Sequence, residues 1–272
     1  NLTDQLVVTN GIVLRSSIDR DVILDGQDND YRVLYISHTG AVVSGFTIKN
    51  GNNKVGDSGG GVFISTGKLV NCWVVSNSTG QEAGGVLIKG EGEVANCQID
   101  NNRGDMFGGG VCCRDGGLVT NCVIFNNGVH GGWGGGVACL NAGAVVYSSI
   151  SNNWGHTQGG GVYADHDGFV DRCTINCNTS ENGGGVWLES GAAMDRCLVV
   201  NNICSNYGGG VHIYQGGTIT NSRIFANVAS NGGGVYIEQG GEVANSQISS
   251  NVAIGVYPNA GKGGGVHMNQ SG

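Results

Sequence analysis

The sequence has one proline in 272 residues, and charged side chains make up only 12% of it. The few charges are unbalanced, 13 Lys and Arg against 21 Asp and Glu for a net charge of −8, and no basic cluster stands out. Nucleic acid and anionic membrane surfaces are therefore poor partners, and no nucleic acid is expected. No apolar run approaches the roughly 18 residues that a membrane-spanning helix needs, so no membrane insertion of this segment is expected. An apolar period of 3.6 is missing too, and 53 glycines work against helix of any kind. No secretory leader is recognisable. The chain nonetheless begins abruptly at Asn1 and stops at Gly272 partway through a repeat, which leads us to expect a piece of a longer secreted protein.

What the sequence does contain is repetition. Gly-Gly-Gly-Val recurs at Gly59–Val62, Gly108–Val111, Gly134–Val137, Gly159–Val162, Gly183–Val186, Gly208–Val211, Gly232–Val235 and Gly263–Val266, with Ala83-Gly84-Gly85-Val86 a near copy. Leu34 opens a further unit at the front, and most units run 24 to 26 residues. A second column follows about eleven residues on: Gly45, Cys72, Cys97, Cys122, Ser148, Cys173, Cys197, Ser222 and Ser246. A third, five beyond that, is invariant: Asn50, Asn77, Asn102, Asn127, Asn153, Asn178, Asn202, Asn227 and Asn251.

Within each unit the apolar period is two, as in Val186-Trp187-Leu188-Glu189, so each reads as short strands separated by Gly- or Asn-bearing bends. Units of this length that cannot bury a face alone bury it by stacking. The expected fold is all-β, a single-stranded right-handed parallel β-helix of about ten to eleven coils, with an Asn ladder and an inward Cys/Ser stack. One domain is expected over 1–272, with N-terminal coil over 1–33 and repeat coils over 34–272. Asn suits the bends because it tolerates the left-handed backbone region, and stacked amides can bond along the axis. Calcium-binding nonapeptide repeats and leucine-rich repeats fit worse, since their Asp and Leu frameworks are missing.

The Gly-Gly-Gly-Val motif, preceded by Ile99–Asn102 or Val199–Asn202, resembles the repeats of polymorphic outer-membrane proteins. The opening Val22–Gly26, Arg32–Ile36 and Val43–Ile48 is similar to the start of many bacterial β-helix proteins of the pectate-lyase-like superfamily. That resemblance implies a secreted or cell-surface setting, and it brings in two activities: adhesion, or lyase or hydrolase action on acidic polysaccharide. Polysaccharide, a host or neighbouring cell surface, and the chain itself stacking end to end are the partners it suggests.

Cys72, Cys97, Cys122, Cys173 and Cys197 fall in an inward column and read as small polarisable fillers. Cys177 and Cys204, near one bend on adjacent coils, are the better candidates for a disulfide, and the state of the ten cysteines stays open. Zinc is not expected, because paired Cys-x-x-Cys spacing is missing. With the interior filled, function falls to the outside. The residue after each column Val points away from the tube, which gives Tyr163, Trp187, His212 and Tyr236 as a ladder of rings beside Asp165, Glu189 and Glu238. Rings next to carboxylates suit sugars. A second aromatic cluster, including Phe107, His130, Trp133, Trp154 and His156, sits in the bends before the glycines, where either ligand contact or packing onto the rod would explain it. A lyase would need carboxylates for calcium and a basic group to take a proton. Asp165, Asp167 and Arg172 are the candidates for those roles, and calcium is the only cofactor they suggest.

Overall fold

The computed structural model describes residues 4–53, 58–255 and 261–269. It is all-β, a parallel solenoid of about ten turns. One central coil shows the unit: strands Val162–Ala164, Phe169–Asp171, Thr174–Asn176 and Thr179–Asn182. The next coil repeats them in register as Val186–Glu189, Ala193–Asp195, Leu198–Val200 and Ile203–Tyr207. Stacked this way, the strands form a long sheet built from the first two strands of each coil, a second sheet from the third strands, and two short sheets from the fourth.

The Val column read from the sequence holds from coil to coil. Leu34, Val62, Val86, Val111, Val137, Val162, Val186, Val211, Val235 and Val266 are successive Cα partners. Leu6 pairs with Leu34, so one more coil precedes them. Inside, Val162, Ala164, Val170, Cys173 and Ile175 represent the core of each coil, all at 1% exposure or less. Alternation puts every second side chain into the tube, where in-register stacking sets like on like.

The asparagine ladder begins at Asn77, one coil later than expected. Asn50 lies opposite Ser76, and Gly51 stands in the ladder position, its N–H donating to Asn77 Oδ1 at 2.9 Å. Gly45 is displaced in the same way, and Phe46 opens the Cys/Ser column. The cause is a register shift where Ile36, Ser37 and Val42 pair with the next coil. The ladder asparagines also do not supply the left-handed backbone. That falls on the residue before each: Ser76, Asn101, Asn126, Asn152, Cys177, Asn201, Ala226 and Ser250, with φ between 53° and 56°. A left-handed residue interrupts the strand alternation and so turns the following side chain inward. Asn127 then donates from Nδ2 to Ile99 O, Phe125 O and Asn153 Oδ1, and accepts from both nitrogens of Asn102, all at 2.9–3.1 Å.

The Cys/Ser column is more than filler. The N–H of Cys97 donates to Cys122 Sγ at 3.4 Å, and Cys97 Sγ donates back to Ala95 O at 3.3 Å. Ser148 does the same with shorter bonds, accepting from Cys122 N at 3.1 Å and donating to Val146 O at 2.8 Å. Thiol and hydroxyl are interchangeable here because each supplies one donor and one acceptor on a short stem.

All ten cysteines are free thiols. Cys204 lies opposite Ser180 in the strand pairing, not Cys177, and the Cys177 side chain faces solvent from its corner while Cys204 is buried. The candidate Cys177–Cys204 bridge is thus not formed. Burial pushes the thiols of Cys97, Cys112 and Cys139 up, and that of Cys204 up to about 12. Buried and protonated, they are poor nucleophiles. A thiol-specific disulfide reagent is expected to label Cys177 alone in the folded chain and all ten cysteines after denaturation. Rapid labelling of several thiols without denaturant would contradict the closed interior.

Candidate functional site

The rings that follow the Gly-Gly-Gly-Val motif point away from the tube, but they are not open to solvent. Tyr163, Trp187, His212 and Tyr236 are all 5% exposed or less. What alternation cannot foretell is the cover. In each coil the residue just before the first glycine, five positions ahead of the ring, folds over the wall. These covering residues include Glu82, Phe107, Trp133, Gln158, Asn182, Tyr207 and Asn231. Several bridge one another in register, as Phe107 does with Trp133 and Tyr207 with Asn231.

Cover and wall are complementary in volume over four central coils, whereas Tyr207 and His212 put a ring in both places. Phe107 and Trp133 lie over the small Cys112 and Ala138, whereas Gln158 and Asn182 lie over the large Tyr163 and Trp187. The result is a second apolar core outside the tube. Its rings run on from coil to coil, Phe107 to Trp133 at 5.1 Å, Trp133 to Tyr163 at 5.0 Å, then Trp187 to His212 at 4.0 Å and His212 to Tyr236 at 4.9 Å. Neighbouring carboxylates serve the polar tips: Glu189 Oε2 accepts from Tyr163 Oη and Trp187 Nε1, both at 3.0 Å. Burial and the nearby Glu189 and Asp165 charges raise the Tyr163 pKa. The expected sugar-stacking face is therefore closed along these four residues. Trp133 is half-buried within the same row. Trp154 lies apart, over Gly128, with His130 edge-on at 5.2 Å.

His212 is the anomaly of this second core. Among the described residues neither ring nitrogen has a hydrogen-bond partner, and the Glu238 carboxylate stands 3.6 Å from Nε2, too far to accept. Burial lowers its pKa from 6.5 to about 3, against a weaker opposite pull from the Tyr207 backbone. As pH falls below about 6.5 the unfolded chain takes up a proton that the folded one refuses. Stability thus declines from there toward pH 3, by up to about 1.4 kcal/mol per pH unit from this residue. His212→Phe, which keeps the ring between Trp187 and Tyr236, is expected to flatten that decline. Urea unfolding near neutrality and at about pH 4.5 measures it, and an unchanged pH dependence would sink the assignment.

The catalytic candidates do not converge. Asp165 sits beside Tyr163, with His166 Nδ1 3.3 Å from its carboxylate. Asp167 is exposed at the corner that follows. Arg172 is held at another corner by Asp171 at 2.7 Å, with its guanidinium over the Tyr147 ring at 5.1 Å. Asp171 also takes Arg196, at 2.9 Å, and Arg196 reaches Asp195 at 2.8 Å. The pairs repeat with the coil as a salt-bridge ladder. Asp165 and Asp167 alone cannot provide the six to eight oxygens calcium takes. Among the described residues, no group of three or more His, Cys, Asp or Glu is arranged to hold a metal.

From Phe63 to Tyr236, each coil places an aromatic ring either in the wall or in the cover, except one. There the wall residue is Leu87 and the cover is Glu82. At that coil the row opens into a cleft of about 380 Å³, lined by Ser58, Phe63, Gln81, Glu82, Leu87, Lys89 and Arg114. Arg114 Nη2 donates to Glu82 Oε1 at 2.6 Å, and the Phe63 ring carries the Arg32 guanidinium 4.9 Å from its centroid. The sequence held the signal for this cleft, a gap in an alternating pair of columns, but only once the two columns are set side by side.

The sequence matches no family model, and no curated protein matches it. Among solved structures it is similar to a hyper-glycosylated fragment of TibA, residues 55–350, modified by TibC, at 15% identity and a TM-score of 0.24, over 96% of this chain and 98% of that one. At that score the likeness carries no weight for function. Of the family resemblances read from the sequence, what is shown is the parallel β-solenoid alone.

Proposed function

We propose that the protein is a secreted or cell-surface rod with a structural and adhesive role, which holds saccharide on its outer wall without converting it. The observation that carries this reading is the break in the ring row at the Glu82–Leu87 coil. The inner columns are committed to stacking, the catalytic candidates are spread over different walls, and the one coil without a ring leaves an open recess. A rod of about ten coils at the roughly 4.8 Å strand spacing is about 50 Å long, long enough to present such a recess away from its attachment. Recognition on the wall of a rigid scaffold is a common use of solenoids.

Glycan-array binding by the purified chain tests this reading. Binding to at least one saccharide class is the expected result, and an array silent throughout would overturn the adhesive role. Release of unsaturated products from a polyuronate panel, lost in Arg172→Ala, would replace it with a lyase. Trp187→Ala is a poor probe of sugar contact, because it empties a buried position and disturbs the wall itself.

A further inference from the structure

We propose that the cleft at the Glu82–Leu87 coil is a subsite for a sugar unit bearing a carboxylate, such as the uronate or sialate of an acidic glycan. The proposal rests on the saccharide-holding reading above and narrows it to one ligand class. Its volume, about 380 Å³, is near the lower end of the roughly 300–1,000 Å³ typical of small-molecule sites.

Three properties of the cleft point to this class. The first is charge. Lys89 and Arg114 bring two cations against one carboxylate, Glu82, with the Arg32 guanidinium beside them over Phe63, in a chain whose net charge is −8. Among the described residues Lys89 pairs with no carboxylate, whereas Lys49 and Lys68 each have one. A local surplus of positive charge suits a ligand that carries a carboxylate. The second is an unfinished hydrogen-bond set. Among the described residues Glu82 engages Arg114 through Nη2 only, and Arg114 Nε has no acceptor; being buried, it meets a ligand only if the guanidinium turns toward the cleft. A guanidinium normally binds carboxylates through two parallel N–H groups, so one edge of this fork is left unsatisfied. The third is the floor. Phe63 offers a half-buried ring with Ser58 at its cover position, although Arg32 at 4.9 Å and Tyr35 at 5.3 Å also lie against it. Sugar C–H faces pack on such a ring while Gln81 and Glu82 meet the hydroxyls.

In this arrangement the sugar ring lies on Phe63 and its carboxylate turns toward Lys89 and Arg114. The test uses the full chain on an array of oligouronates and sialosides, each beside its carboxyl-reduced, neutral counterpart. The expected result is a preference of tenfold or more for the acidic member, lost in Lys89→Gln and in Phe63→Ala and weakened by added salt. Lys89 is exposed, so its substitution leaves the fold intact, and an unchanged unfolding midpoint verifies that. Equal binding of acidic and neutral members, or acidic binding held within twofold in Lys89→Gln, overturns the subsite but leaves the adhesive rod standing. A silent array overturns both.

Discussion

Asn127→Ala is expected to destabilise the rod by about 3–6 kcal/mol, read as a lower urea midpoint with an unchanged slope. The substitution removes three donations and two acceptances in a site with no access for water. Asn102 loses the acceptor for its N–H and for one amide hydrogen, and the carbonyls of Ile99 and Phe125 lose a donor. Each orphaned buried group costs about 1–3 kcal/mol, and the partners cannot rotate away because the backbone is fixed by strand pairing on both sides. The same change at Asn251 is the control. That residue also accepts from Asn227, but it is only partly buried, so water replaces the lost partner. A cost at Asn251 equal to that at Asn127 would show that the ladder's buried bonding is not what matters.

Gly160→Ala is expected to do more, abolishing cooperative folding or removing upwards of about 4 kcal/mol. The three glycines of each motif serve three different needs. Gly159 has φ of +63°, and Ala83 in the equivalent place tolerates +60°. A Cβ on Gly161 would meet Gly185 O at 2.7 Å and Asn178 Nδ2 at 2.9 Å. A Cβ on Gly160 would run into the carbonyls of both Thr179 and Gly184, far inside contact distance. Those carbonyls are backbone in the next coil, so neither can swing aside, and the cost exceeds the roughly 1–3 kcal/mol usual for overpacking, where neighbours can yield. Gly216→Ala separates crowding from conformation. Its φ is +87° but a Cβ there has open space, so only about 1–2 kcal/mol is expected. If both variants unfold at the same denaturant concentration, close approach is not the reason for the glycine.

These two positions also show how far a sequence reading reaches in this protein. Columns that face the tube are constrained by identical neighbours above and below, so composition repeats and register becomes visible; the Val and Asn columns are of this kind. Asn50 misled because a local register shift in one coil cannot be seen where its neighbours keep step. The ring row misled for a different reason. Period two tells which way Tyr163 or Trp187 points, but a covering residue from a bend belongs to no strand and follows no alternation. Phe107 and Trp133 were visible as aromatics yet not as the counterparts of Cys112 and Ala138. The cleft inherits that difficulty, since it exists only where both members of a pair lack a ring.

The in-register pairing of every coil with the next also has a mechanical meaning. All the backbone bonds between coils run along the rod, so bending must compress or stretch many of them together, and the rod is stiff. Tension applied through the chain itself finds a different molecule. It enters at one edge strand and loads the bonds in sequence, like the teeth of a zip. Each coil surrendered in this way frees 24 to 26 residues in most of the repeats, roughly 80 Å of extended chain at about 3.3 Å per residue. A tether built so holds its shape against sideways load and lengthens in even steps when pulled.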